Sequence, residues 1–596
     1  MSGLATELLR LYGLGVMSAV DVQRLAAGAG RDGWGLNNSV ARKLMTLGGS
    51  GRFAGNVNRD LLSRNSLDAM LTRNLKPYII QLPDGTYLDI ILPHEAVFDA
   101  MTRMAKPEDW TLRERAGSDP LGGILAKWAT QPDVLFGGDV STVAAVGLHS
   151  DGVQYTSTNR AGGAKSVEVM SMNILSAKLE ANRQHRIPLT ILRKARMCGC
   201  GCGGFDTLQI IFEVISWSFR CCLAGVAPDR RHDGTDFTPH DVTTRLPPGT
   251  ELPRSALVQM RGDWEGLVKL FRFRFYKSEN FCWQCDATAS AGPRCFRDCS
   301  PAAGHRATLL SHEEYLARCA EEGSQPSYIF RCPGFRLENI VVDSMHAADL
   351  GCFADALGSI MALHIGNRQW FPNQAAGLAN LNQLLTAWYR AHPEHAASKI
   401  TPLVLTQIHS KSLTYPFLKA KAAQVRNLAE FGLYLANMHS YGEAAPGGRQ
   451  PFRFAASHRL AGREADYLRL LVLMFQGMAA YSRSLQAAVF DPTACRESML
   501  LFLATLSDLF SLWRQGASEA AAKAAPFFFR PKAHMLQHLV QDHVPVFGNP
   551  AKFWCYRDED FVGAIKRICA NTKHPATLER RVLLKLRILA GLGVFV

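Results

Sequence analysis

Cys282-Trp-Gln-Cys285 sets two thiols on one tight turn, and Cys295 and Cys299 follow within the same short stretch. Two such pairs can complete the tetrahedron of a structural zinc ion, with His305 close behind. The competing reading is a set of buried, unligated cysteines. Cys198-Gly-Cys-Gly-Cys202 can hold a soft metal, but spacing on adjacent turns suits tetrahedral zinc poorly, and the reading favours a flexible loop. Three acidic residues occupy a second kind of position. Asp151 follows the apolar run Val143–Leu148, Asp263 follows Ala256–Met260, and Glu559 opens a helix within Asp558-Glu-Asp560. A carboxylate delivered by a core strand is held rigidly, as a metal ligand must be, although Asp151-Gly152 also reads as an ordinary turn. Asp343 and His346 share one helix start, where a capping aspartate and a core histidine are the plain explanation.

The elements that must position these residues are legible from periodicity. Tyr78–Leu82 and Tyr87–Leu92 flank Pro83-Asp-Gly-Thr86 as a hairpin, and a helix follows over His94–Met104. Val143–Leu148, Ser166–Leu175 and Ile187–Leu192 read as three strands, Thr207–Leu223 as an apolar helix, and Ala256–Met260 as a fourth strand. Strand, strand, strand, helix, strand is the order of an RNase H-like core. From Cys352 to about 527 apolar residues recur at three- and four-residue spacing, which predicts an almost wholly helical stretch.

The fold class expected is therefore α/β, an RNase H-like catalytic core interrupted by a zinc-knuckle insertion and a large all-helical insertion. The boundaries expected are a basic region with hairpin and helix over 1–130, the first part of the core over 131–350 with the Cys-rich insertion at about 276–335, a helical domain over 351–530, and the rest of the core over 531–596. A chain of 596 residues, 47% hydrophobic and 20% charged, is large enough for two to four domains. No uncharged apolar run reaches the ~18 residues of a membrane span, which fits a soluble protein. Fifteen cysteines, an odd number, favour reduced thiols or metal ligands over a disulfide framework. An excess of 66 Lys and Arg over 52 Asp and Glu gives +14, which favours a polyanionic partner, nucleic acid first. Arg42, Lys43, Arg52, Arg59, Arg64 and Arg73 make the N-terminal segment basic, either a DNA contact or a solvated arm.

Taken in order, these motifs resemble the eukaryotic cut-and-paste DDE transposases, most closely the CACTA (En/Spm-like) group. The likeness covers about 140–365 and 530–580. It rests on Asp151-Gly152, on Gly262-Asp263, on the Cys282/Cys285 knuckle, on Asp343-x-x-His346, on His534-x-x-x-His538-Leu539, and on the spacing of Glu559, Lys566, Asn571 and Pro575. The wording around Asp151 and Asp263 differs from the plant members, and no N-terminal DNA-binding module stands out. The resemblance implies a nuclear protein acting on DNA as a homo-oligomer, with no membrane association. It also implies metal-dependent phosphodiester cleavage and strand transfer. In that chemistry Asp151 bridges two Mg²⁺ or Mn²⁺ ions, Asp263 holds one and Glu559 the other, while His346 orients groups nearby. Cys282, Cys285, Cys295 and Cys299 are the expected zinc ligands. A decayed or domesticated copy would keep the fold without the activity. The competing class is a non-enzymatic DNA- or chromatin-binding protein with the same fold and knuckle; a third is an RNase H-like nuclease acting on RNA.

Overall fold

The computed structural model describes residues 3–34, 42, 44–45, 75–103, 109–113, 115–156, 164–178, 186–400, 402–408, 415–442, 448–572 and 575–592. Lys43, Arg52, Arg59, Arg64 and Arg73 lie outside the described residues. The chain divides into two compact units: Met1–Phe273, His312–Ile340 and Tyr556–Val596 form one, Arg274–Ser311 and Val341–Cys555 the other. These units part at 273/274, 311/312, 340/341 and 555/556, where the sequence suggests about 276, 335, 350 and 530, and residues 1–130 fall in the same unit as the four-stranded sheet. Residues near the N-terminus join the first unit by packing, with Leu8, Leu9 and Tyr12 sharing an apolar cluster with Ile588.

Six strands can be named: β1 (Tyr78–Gln81), β2 (Tyr87–Ile90), β3 (Ala144–Gln154), β4 (Ser166–Ile174), β5 (Ile187–Arg193) and β6 (Ser255–Arg261). Four helices bear on the candidate sites: α1 (Phe205–Ala224), α2 (Trp264–Phe271), α3 (Pro531–His538) and α4 (Tyr556–Ala570). The first unit is a mixed α/β fold on a four-stranded mixed sheet of order β5-β4-β3-β6. β3 is antiparallel to β4 and parallel to β6, and β4 is antiparallel to β5. A parallel bridge between Met260 and Ile340 extends the β6 edge. β1 and β2 form the expected hairpin, and its turn is fixed by the Asp84 carboxylate accepting the Thr86 amide at 2.9 Å.

β3 does not stop at Asp151. It runs on to Gln154 because β4 keeps pairing with it, Gly152 opposite Glu168 and Gln154 opposite Ser166. Gly152 lies within this paired stretch rather than in a turn, and a Cβ there would stand 3.1 Å from Glu168 Oε2 and 3.4 Å from Lys194 Nζ, the ends of two flexible side chains.

α4 covers one face of the sheet. Phe561, Val562, Ile565 and Ile568 pack with Val167, Val169 and Ile191, the three- and four-residue spacing of a helix that buries one stripe. Its first turn carries a charge into the interior. Asp558 is fully buried, with Arg186 Nε at 2.5 Å and Arg261 Nε at 3.3 Å. Asn173 Oδ1 accepts from Arg261 at 2.5 Å, and Gln259 Oε1 at 3.1 Å. Burial works against the Asp558 carboxylate, but the two guanidinium groups hold it well below the usual carboxylate range.

Two helical stretches, Phe205–Ala224 and Met345–Gly366, are long and apolar enough to cross a membrane, yet 72% and 83% of their apolar windows are buried within the fold. Their apolarity serves core packing, and α1 carries Asp206, Glu213 and Arg220 along its length. In the second unit the helices Glu464–Gln486 and Pro492–Arg514 pack along each other. Gly477 permits this, since a Cβ there would lie 2.7 Å from the Phe502 amide.

Removing the charge at Asp558 leaves two buried guanidinium groups without their anion. Asp558→Asn is expected to destabilise the first unit by about 3–5 kcal/mol, and exposed Asp560→Asn to change it by less than about 0.5 kcal/mol. The stability that Asp558 contributes is present above its unfolded value of about 4 and is lost as pH falls from there toward its lowered folded value. Urea titrations of the two variants at neutral pH, and of the wild type from pH 7 downward, check both statements.

Candidate functional site

The second unit holds a closed group of four metal-ligand side chains. Cys282, Cys285, His534 and His538 are all buried, with their ligand atoms within 4.8 Å of one another. Cys285 Sγ lies 3.3 Å from His534 Nε2 and 3.5 Å from His538 Nε2, Cys282 Sγ lies 3.4 Å from His538 Nε2, and the two Nε2 atoms are 3.1 Å apart. A zinc ion bonded at about 2.3 Å to sulfur and about 2.0–2.1 Å to nitrogen gives tetrahedral S···N edges of about 3.5 Å. The group therefore has the size and donor set for a structural metal such as zinc.

Local chain geometry explains the arrangement. The Gln284 amide donates to Cys282 Sγ at 3.3 Å, closing the Cys-x-x-Cys turn. His534 and His538 are four residues apart on α3, so both rings leave the same helix face. Behind them, His538 Nδ1 lies 2.6 Å from Asp542 Oδ2, and Arg306 grips Asp542 at 2.8 and 2.6 Å. A carboxylate behind a ligating imidazole fixes the ring and the nitrogen it offers. Burial pushes His534 down to about 4, leaving it neutral and able to ligate. Cys285 is driven strongly toward the thiolate, first by its hydrogen bond with Cys282 and then, against burial, by both histidines.

Two expected ligands are replaced. Cys295 and Cys299 lie outside this group, and the histidines of α3 stand where they were expected. Cys295 belongs to a turn, its amide donating to the Gly292 carbonyl at 3.0 Å, and burial pushes the Cys299 thiol up, as for a protonated core cysteine. His305 also lies outside the group; its Nε2 is 3.0 Å from Gln537 Oε1, and its ring meets His534 edge-on at 4.8 Å between centroids.

The acidic residues of the first unit are placed by register. His149 pairs with Arg261 across parallel β3 and β6, so Asp151 and Asp263 each stand two residues beyond a paired position. Asp263 caps α2, accepting the Gly266 amide at 2.6 Å. A Cβ on Gly262 would lie 3.1 Å from the Ser150 carbonyl, which brings the two chain segments into contact beside the acids. Glu559 follows Asp558 on α4 and is half-buried, as are Asp151 and Asp263, while Asp560 is exposed. Among the described residues, the compact ligand groups include none of Asp151, Asp263 and Glu559.

A fourth acid escaped the sequence reading. Glu168 is 3% exposed on β4, with Oε1 accepting from Ser150 Oγ at 3.1 Å. Burial pushes its carboxyl up, offset in part by Lys269 and Lys194, and Asp263 adds to the rise. In Ser166-Val-Glu-Val-Met170 it reads as the polar member of an alternating strand, with nothing to single it out.

In the second unit Asp343 is a local cap, as its plain reading held. It accepts the amides of Met345 at 3.0 Å, His346 at 3.1 Å and Cys555 at 2.9 Å, and the His346 ring at 2.6 Å.

No protein-family model matches the chain, and no curated protein matches it.

Cys282→Ser with Cys285→Ser, and separately His534→Ala with His538→Ala, are each expected to remove about one zinc equivalent per chain. Cys295→Ser with Cys299→Ser should retain it. Asp542→Asn should weaken zinc binding by about 10–100-fold through the misplaced His538 ring. Metal analysis of the purified proteins, with a competing chelator for the last, reads all three.

Proposed function

We propose that the chain is a DNA transposase-like polynucleotidyl transferase built on an RNase H-like core, with Asp151, Asp263 and Glu559 as its acidic triad and a structural zinc in its second unit. The observation that carries this reading is the placement of Asp151 and Asp263 at matching positions beyond paired residues of adjacent parallel strands. The sheet order β5-β4-β3-β6, with its two antiparallel pairings and one parallel pairing, supports the core assignment. So does a closing helix that lays Glu559 one residue after a side chain anchored to the end of β6.

Half-exposed carboxylates are the hard oxygen donors that Mg²⁺ or Mn²⁺ takes, so the donor chemistry fits. When bound, such ions supply an activated oxygen nucleophile and charge neutralisation at a phosphodiester. The chain's own residues have separate work. Asp558 fixes the rotation of α4 and so the direction in which Glu559 leaves it. Lys194 and Lys269 place positive charge beside Glu168 and Asp263, where a nucleic-acid phosphate would be attracted. The net charge of +14 gives the longer-range attraction.

A second reading has its own observation. The three acids belong to no compact ligand group, and the Asp263 carboxylate is already engaged as a helix cap. Both fit a non-enzymatic DNA- or chromatin-binding protein that keeps the fold.

The two readings part in one experiment. Supercoiled DNA is incubated with the purified chain and Mg²⁺ or Mn²⁺, and nicking and strand transfer are followed beside binding. The proposed function expects Asp151→Asn, Asp263→Asn and Glu559→Gln each to reduce nicking to background. DNA affinity should hold or rise, because a negative charge leaves a basic surface. Asp560→Asn should cut like the wild type. DNA binding without any nicking by the wild type would establish the second reading; full nicking by Glu559→Gln would remove Glu559 from the triad.

A further inference from the structure

Cys198, Cys200, Cys202 and Asp206 bring their ligand atoms within 4.8 Å of one another in the first unit, far along the chain from the Cys282 group. Cys198 Sγ lies 3.1 Å from Cys202 Sγ and 3.6 Å from Cys200 Sγ, and Cys200 Sγ lies 3.3 Å from Asp206 Oδ2. A tetrahedral zinc with bonds to sulfur of about 2.3 Å has S···S edges of about 3.8 Å, so the thiols stand slightly inside the spacing an ion would set.

The sequence argues against such a cluster only while the loop is taken to have ordinary backbone geometry. Gly201, Gly203 and Gly204 have φ of 94°, 68° and 91°, a region open to glycine and costly for other residues. These left-handed turns coil the loop so that alternate side chains converge instead of pointing apart. Both ends of the coil are fastened. The Cys198 amide donates to Thr207 Oγ1 at 2.9 Å, and the Asp206 amide donates to Cys202 Sγ at 3.5 Å.

We propose that Cys198, Cys200 and Cys202, with Asp206, form a second metal site, solvent-facing and specific for a thiophilic d¹⁰ cation of the Zn²⁺ class. Binding releases the three thiol protons and joins three thiolates and one carboxylate to the dication, leaving a net charge of −2 on the site. Two features offset that charge. The cluster sits at the N-terminus of α1, whose 20 residues present the positive end of their dipole, and Arg272 reaches Asp206 at 3.2 Å. Hard cations gain little from three sulfur donors, so Mg²⁺ is excluded by class. Cys200 is exposed and Cys198 and Cys202 are half-buried, whereas all four Cys282-group ligands are buried. The outer ion therefore exchanges while the inner one stays, which makes the loop a site that responds to free zinc. The proposal is independent of the nucleic-acid reading.

Its test uses the full chain in reducing buffer. The protein is dialysed with excess chelator and then with or without Zn²⁺, pulsed with iodoacetamide, and mapped by peptide mass spectrometry. Zinc is expected to slow alkylation of Cys198, Cys200 and Cys202 by about tenfold or more, since a ligated thiolate is no longer free to attack. Cys282 and Cys285, being buried, stay unmodified in both arms. Cys198→Ser with Cys202→Ser should lose about one zinc equivalent from the loaded chain and keep the one held by Cys282, Cys285, His534 and His538. Equal alkylation with and without zinc overturns the proposal, as does an unchanged zinc content in the double variant. Recovery of a Cys198–Cys202 disulfide while the other thiols remain reduced also overturns it, in favour of a redox pair.

Discussion

One buried carboxylate between two guanidinium groups decides how the last helix lies on the sheet. Asp558 has no exposure, and it meets Arg186, just before β5, and Arg261, at the end of β6. Such a charge is tolerated only where the geometry leaves few alternatives, because desolvation costs several kcal/mol per ion. Anchoring Asp558 fixes the helix phase, and everything else about the acidic run follows. Glu559, about 100° further round, is left half-buried, and Asp560 faces water. Three consecutive acids of similar chemistry thereby acquire three different environments.

The second unit is organised by an equally long-range closure. Arg274–Ser311 contains no strand, and its one helical turn is the short Gly304–Thr308. Its shape is set by side chains instead. Cys282 and Cys285 meet the α3 histidines, Arg306 clamps Asp542, and Phe281 meets His534 edge-on at 5.6 Å. A metal held by such a segment would add its binding free energy to folding, and here it would join residues whose separation in sequence is 249 to 256 positions.

Period and composition carry the regular elements well. β4, β5, β6 and α1 fall within two residues of where alternation and apolar runs place them, because burial on a sheet or helix face writes its period directly into the chain. β3 outruns its expected end because Asp151-Gly152 has the residues of a turn, and only the presence of β4 alongside shows that the strand continues through it. The group of two cysteines and two histidines is half legible. Cys282 and Cys285 announce themselves as a pair, and His534-x-x-x-His538 is the complementary helical pair, yet nothing local says that two motifs so far apart meet in the fold. Proximity in sequence favours Cys295 and Cys299 as the second pair, and both lie outside the group. Asp558 reads in the sequence as a helix-opening carboxylate, since the arginines beside it come from distant segments, Arg186 just before β5 and Arg261 at the end of β6. In the Cys198 loop the converse holds: spacing rules for metal ligands assume an ordinary backbone, and three glycines at positive φ bring the cysteines and Asp206 together instead.

The double excursion of the chain between the two units has a consequence for biosynthesis. Arg261 and Asp558 are 297 residues apart, so at about 5–20 residues per second a ribosome needs roughly 15–60 s to supply the anion that the sheet's arginines require. The whole helical unit emerges in that interval. β3 to β6 can pair meanwhile, but their covering helix is still unmade, and Val167, Val169 and Ile191 face solvent or a chaperone. A nascent chain of this design leaves one face of the sheet uncovered over that interval, and synthesis of Tyr556–Ala570, the helix that packs on it, is the event that seals it.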